Sequence, residues 1–242
     1  MTTLIKIIVT TLLSMFLLSC NFDVTFNNGI KGTGPVSSVN RTLDSDFSSV
    51  KISDGLDLYL TQGDTESLTV EANENLHDLI QTKVENGVLR IYSDKNIGHA
   101  EAKKINLTFK YLTSIKSTSG SDVFSTKIIR ANQLELISTS GSDMDLEVET
   151  ETLKCKATSG SDLKLKGQTN TFNAQATSGS DIDAEDLIAN SSRVKATSGA
   201  GITVNSKKEL YAKATSGGDV TYYGNPEKVE KSDGVSGSIS KR

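Results

Sequence analysis

Apolar and polar residues alternate with a period of two through most of the chain. Leu153, Cys155 and Ala157 alternate with Lys154 and Lys156, and Leu163 and Leu165 alternate with Lys164 and Lys166. The same pattern recurs at Leu134 and Leu136, at Phe172, Ala174 and Ala176, and at Leu210, Ala212 and Ala214. A period of two turns one set of side chains inward and the other to water, so it predicts strands with one buried face. The first half reads likewise at Leu56, Leu58 and Leu60, at Leu68 and Val70, at Leu89 and Ile91, and at Ile105, Leu107 and Phe109. Gln62-Gly63-Asp64 and Glu85-Asn86-Gly87 are turn sequences between these strands. Only Asn73 to Leu79 reads as a short helical turn.

A second, longer period is laid over the first. Thr-Ser-Gly-Ser-Asp occurs at Thr118–Asp122, Thr139–Asp143, Thr158–Asp162 and Thr177–Asp181, with degraded copies around Gly199, Gly217 and Gly237. The repeat glycines, from Gly120 to Gly237, are separated by 21, 19, 19, 20, 18 and 20 residues. A period near twenty, made of short strands and corners, predicts a β-helix in which each repeat is one rung. Strands in adjacent rungs lie about 4.8 Å apart, so like residues at the corners stack into ladders. The repeat Gly suits a corner with positive φ, and the flanking Ser and Asp suit local side-chain hydrogen bonds. No segment rich in Pro, Gly or Ser separates the halves, which predicts one body over 32–242.

The start of the chain is different. Met1 to Lys6 is short and basic, and Ile7 to Leu18 is an apolar run of twelve residues, too short to span a bilayer but the length of a signal-peptide core. It ends in Leu17-Leu18-Ser19-Cys20. This resembles the bacterial lipobox, with Leu18 bulkier than is usual at its position. The resemblance implies a signal peptide over 1–19, cleavage before Cys20, acyl chains on Cys20, and a tether over 20–31. Several acyl chains on one residue anchor stably, where one chain binds only reversibly. Asn21, rather than Asp, follows the Cys, which by the same analogy favours the outer membrane and leaves its side open.

Composition narrows the function. Of 242 residues, 36% are hydrophobic and 23% charged, as in a folded body, and the net charge of −4 gives no overall attraction for nucleic acid. On that balance no polybasic patch for anionic lipid is expected. Two His and two Cys leave little for a transition-metal site.

The ordered set of motifs resembles the bacterial auto-transporter adhesin head, or GIN domain, family. It comprises Gly32-Thr33-Gly34, Phe47–Val50, Ser53–Leu58, Gln62–Asp64, Val70–Leu76, Gly87–Ile91 and the Ser-Gly-Ser-Asp repeats, over roughly residues 32–240. The resemblance implies a right-handed parallel β-helix in envelope lipoproteins and supplies no catalytic residues.

Candidate chemistry is sparse. Asp122, Asp143, Asp162, Asp181 and Asp219 recur at the corners, interrupted by Gly201. Carboxylates one rung apart repel unless splayed into water, protonated or bridged by a cation, so solvated turn carboxylates are the simple reading and calcium, an oxygen-seeking ion, the alternative. Thr118, Thr139, Thr158, Thr177, Thr197 and Thr215 form a second ladder, suited to stacking hydrogen bonds. Cys155 falls on the inward alternation as a small buried side chain, and His77 and His99 stand alone as surface residues. A glycan lyase or hydrolase would need a close carboxylate pair or acids beside Arg or Lys, which the corner acids lack. The expectation is a binding, adhesion or scaffold module for a glycan or protein ligand, without catalysis; the alternative is a glycan-active β-helix enzyme.

Overall fold

In the computed structural model, residues 29–242 apart from Val235 are described. The body is an all-β solenoid of about seven turns. The signal peptide and Cys20 lie outside the described residues. Ile30 already bridges to Ile97, and the Gly32 amide donates to the His99 carbonyl at 2.8 Å, so the body takes up the end of the expected tether.

Chain order and spatial order part company in the first half. After the edge strand β1 (Val36–Arg41), β2 (Ser49–Ile52) and β3 (Asp57–Gln62) form one rung. The chain then leaves through β4 (Ser67–Asn73), a single 3-10 turn at Glu74–Leu76, and β5 (Ile80–Glu85). It returns as a rung of β6 (Val88–Ser93) and β7 (Lys103–Phe109), stacked in parallel on one side of β2 and β3. The next rung, β8 (Ser114–Thr118) and β9 (Asp122–Ser125), stacks on the other side of β2 and β3. The rung entered first is therefore second in the stack. β4 runs antiparallel to both β1 and β7, and β5 antiparallel to β6, which occupies the sheet edge at this end.

The second half stacks in chain order and wholly in parallel: β10 (Ile129–Thr139), β11 (Asp143–Thr158), β12 (Asp162–Thr177), β13 (Asp181–Thr197) and β14 (Gly201–Thr215). β15 (Asp219–Tyr223), β16 (Lys228–Asp233) and β17 (Ser238–Lys241) close it. The segment Lys228 to Arg242 contributes this last rung, with every residue of β16 exposed.

One continuous core runs from Phe47 to Tyr222. The alternating residues enter it as the pattern predicts, and Leu153, Ala157, Phe172 and Ala196 are fully buried. Side-chain size follows position around the rung. Next to the corner the inward column is Ser117, Ser138, Ala157, Ala176, Ala196 and Ala214, small because the chain reverses there within two residues. Four positions further from the corner, with the small Ser192 between Phe172 and Leu210 as the exception, Leu134, Leu153, Phe172 and Leu210 fill the wide part of the rung. Each such side chain contributes about 1.5–3 kcal/mol by burial. Cys155 is buried in this core, and burial pushes its thiol well above the ordinary range, so it is inert.

Candidate functional site

The repeat sequence builds one corner geometry over and over. In each copy except the last, around Gly237, the first Ser and the Gly both take positive φ, as at Ser159 (φ 60) and Gly160 (φ 67). Two such residues in succession make a tight two-residue reversal. No atom lies within 4 Å of where a Cβ on Gly160 would stand, so its backbone conformation, not space, is what favours Gly. The second Ser turns inward and is buried. Its hydroxyl does what a backbone partner would do: Ser161 Oγ accepts from the Thr158 amide at 3.0 Å and donates to the Ser138 carbonyl of the rung below at 2.9 Å. Serine hydroxyls thus satisfy backbone groups that the sharp corner takes out of the ladder. The Thr column is looser. Thr215 Oγ1 donates to Thr197 Oγ1 at 3.1 Å, whereas Thr158 Oγ1 sits 3.4 Å from Ser159 Oγ of its own corner.

The corner Asp residues do form a ladder. Asp122 faces Asp143, Asp143 faces Asp162, and Asp162 faces Asp181; Gly201 then interrupts before Asp219. The column has one more member than the repeat motif reveals, because Asp57 of β3 faces Asp122. Its signal was present in Ser53-Asp54-Gly55-Leu56-Asp57, the first-half version of the corner, where Asp54 and Gly55 take φ of 69° and 71°. Partial burial, followed by the charge of Asp143, raises the Asp122 carboxyl above its usual range, and the same two causes raise Asp162. Asp57 is raised by burial against the lowering pull of Lys103 and Lys104. The carboxylates also have a structural task across rungs: Asp143 Oδ1 accepts from the Asp162 amide at 3.2 Å, and Asp162 Oδ1 from the Asp181 amide at 3.3 Å. Among the described residues no group of three or more His, Cys, Asp or Glu side chains is placed to hold a metal ion. The carboxylates stand one per rung along a line instead of converging on a point.

The opposite flank of the corner carries the opposite charge, which the overall charge of −4 conceals. Two residues before each corner Thr is an outward column that runs Arg90, Lys51, Lys116, Ile137, Lys156 and Gln175, then Lys195, Lys213 and Ser232. It holds six cations and no carboxylate. The next column away from the corner adds Lys154 and Arg193, with Glu135 and Glu230 towards either end. The solenoid therefore has a basic face and an acidic edge separated by the Thr-Ser-Gly corner. Arg193 lies over the ring of Tyr211, 4.3 Å from its centroid, which fixes the guanidinium. The expectation of no polybasic patch is thus corrected: register, which composition does not contain, sorts the charges.

The remaining candidates separate. His99 is exposed, whereas His77 is half-buried with its Nε2 3.0 Å from Ser37 Oγ.

Fold and corner geometry together define a class: a repetitive β-solenoid with ordered outward ladders. The chain belongs to the family described as putative auto-transporter adhesin, head GIN domain, whose model matches residues 46–226. Among solved structures it is similar to one named a putative adhesin from Bacteroides fragilis, at 20% identity and TM-score 0.82, covering 88% of this chain and 100% of that one. It is also similar to one named a putative adhesin from Parabacteroides merdae (18%, TM-score 0.70, 88% and 98% covered). A third, from Parabacteroides distasonis, is named a putative lipid binding protein (23%, TM-score 0.70, 88% and 99% covered). These likenesses establish the shared fold. No functionally curated protein matches the chain.

Proposed function

We propose that the chain is an envelope lipoprotein, anchored through Cys20 in the outer membrane, whose solenoid is a binding or adhesion module and performs no catalysis. The observation that carries this reading is the display of outward side chains in registered columns over successive rungs of a filled core. Such a surface presents the same contact many times at a fixed pitch, which suits a repetitive ligand and gains from multivalency. Membership of an adhesin-like family supports it. The lipid anchor rests on the apolar run and Leu17-Leu18-Ser19-Cys20. Labelling cells with radioactive palmitate tests the anchor: label should enter the wild-type chain and not Cys20→Ala. Protease shaving of intact cells, with detection of the C-terminal rungs against a periplasmic control, tests the exposure that adhesion requires. Digestion of the rungs with survival of the control is the expected result. Protection until the envelope is lysed overturns the adhesion reading in favour of an inward-facing scaffold.

A further inference from the structure

The basic face has the form of a site as well as a charge. On β12 the outward residues are the short amides Asn173 and Gln175, flanked by Lys154 and Lys156 on β11 and by Arg193 and Lys195 on β13. The long cationic side chains wall a groove of about 500 Å³ whose floor is the amide pair. Lys154, Lys156 and Lys195 make no ion pair or hydrogen bond among the described residues, in contrast to Lys166, which reaches Asp145 at 3.9 Å on the acidic side. Like charges opposite one another on adjacent strands repel. Here the Asn173 and Gln175 amides hold the facing cations one rung apart, Lys195 and Lys213 face each other directly, and Glu135 alone of the lining residues is acidic, so the groove keeps a positive excess that an anionic ligand would relieve.

We infer that this face binds a linear acidic polysaccharide laid along the solenoid axis, with the Asn173 and Gln175 amides on its hydroxyls and Lys156, Lys195 and Arg193 on its anionic groups. The inference deepens the binding-module reading and rests on it. Three features favour this ligand. Rungs repeat at about 4.8 Å, comparable with the rise of one sugar in an extended chain, so successive residues meet successive rungs. Amides at the floor match a ligand dense in hydroxyls, with neutral donors and acceptors between charges. A membrane surface would instead favour protruding apolar side chains, and of the two columns only Val88, Ile137 and Tyr211 offer any. Nucleic acid would favour an open ring for stacking, and the Tyr211 ring is covered by Arg193.

The test uses the full chain carried in neutral phosphatidylcholine vesicles, fluorescent alginate as the polyuronate probe, and neutral dextran as the comparison. Alginate should co-sediment with the vesicles and dextran should not. The affinity should fall with rising salt, because cations on the protein replace counterions on the polymer. Lys156→Gln with Lys195→Gln should weaken alginate binding by about tenfold and flatten the salt dependence. Lys207→Gln with Lys208→Gln, exposed cations away from the groove, should leave it unchanged. Gln175→Lys, which fills the gap in the column, should tighten it and keeps the idea testable if the double variant folds poorly. Equal binding of dextran, indifference to both groove variants, or an equal loss in the Lys207/Lys208 variant overturns the inference. So does displacement of the probe by phosphatidylglycerol vesicles from a protein that does not prefer alginate, which would make the face a membrane contact. These outcomes come from purified protein, so they stand apart from the shaving result, on which the adhesion reading itself depends.

Discussion

Two glycines with positive φ on neighbouring parts of one rung should respond very differently to a methyl group. Gly160, at the corner, has φ 67° and open space where a Cβ would be. Alanine there carries only the left-handed penalty of about 1–2 kcal/mol. Part of this is offset, by about 0.4–1 kcal/mol, through the stiffer unfolded chain. The net loss is about 1 kcal/mol, and Ser159 beside it, at φ 60°, shows that a Cβ is tolerated in this conformation. Gly167 lies within β12 at φ 108°, outside the left-handed well, and a Cβ would stand 2.2 Å from the Val148 carbonyl oxygen. Val148 is its register partner on β11, so relief requires parting two rungs. Strained backbone and overpacking together put Gly167→Ala at about 3–5 kcal/mol. Guanidinium unfolding followed by far-ultraviolet circular dichroism, with the slope compared between variants, measures both losses. In a chain of this size the melting temperature should fall by about 3 °C for Gly160→Ala and about 10 °C for Gly167→Ala. Equal losses, or a larger one at the corner, would refute the claim that conformation alone fixes the repeat glycine while close approach fixes Gly167.

Two further outcomes follow from the corner. Ser161→Ala deprives the Thr158 amide of its acceptor and the Ser138 carbonyl of its donor, and should cost about 1–3 kcal/mol in the same unfolding assay. Asp143→Asn keeps an oxygen for the Asp162 amide while removing the charge between Asp122 and Asp162, and should stabilise the protein at neutral pH by about 0.5 kcal/mol. Because folding raises the carboxyls of Asp122 and Asp162, the native state binds protons more tightly than the unfolded chain, so their contribution to stability grows as pH falls from neutral through their folded values and levels off below the ordinary carboxylate range. The advantage of Asp143→Asn should shrink over the same fall, and melting curves taken at neutral and mildly acid pH decide it; an advantage that persists in acid would place its origin outside charge.

What could be read from the sequence is what a single rung determines. The alternation of Leu153, Cys155 and Ala157 reports burial without knowledge of any neighbour, and the Ser159-Gly160 pair reports the corner through its own dihedrals. Stacking order is another matter. Residues 67–109 leave the first rung and return on its far side, and a strand alternates in the same way on whichever side it stacks. Asp57 was missed for that reason: it adjoins Asp122 in space but is 65 residues away in sequence. Lys51 and Lys116 are equally far apart and equally adjacent. Composition adds the two faces into one number, so the candidate site on the basic face became visible only with the register.

The segregation of charge bears on function because it works against stability. Lys156 and Asp162 belong to one rung, both point outward, and the corner between them sends one to each side. A sequence selected for stability alone would alternate signs along each column, since opposite charges on adjacent strands attract and like charges repel. In the two columns that flank the corner the chain instead repeats one sign, with Ile137, Gln175 and Gly201 as neutral gaps, and on the acidic side the carboxyls of Asp122 and Asp162 are raised by burial first and by the neighbouring carboxylates second. On that side the carboxylates also accept rung-to-rung amides, which gives them a structural reason to be there. Among the described residues the lysines of the basic column have no such partner. Marginally stable proteins hold unfavourable arrangements where function requires them. Of the two ladders, then, it is the basic one, unmarked by any motif, on which the inferred binding of an acidic polysaccharide rests.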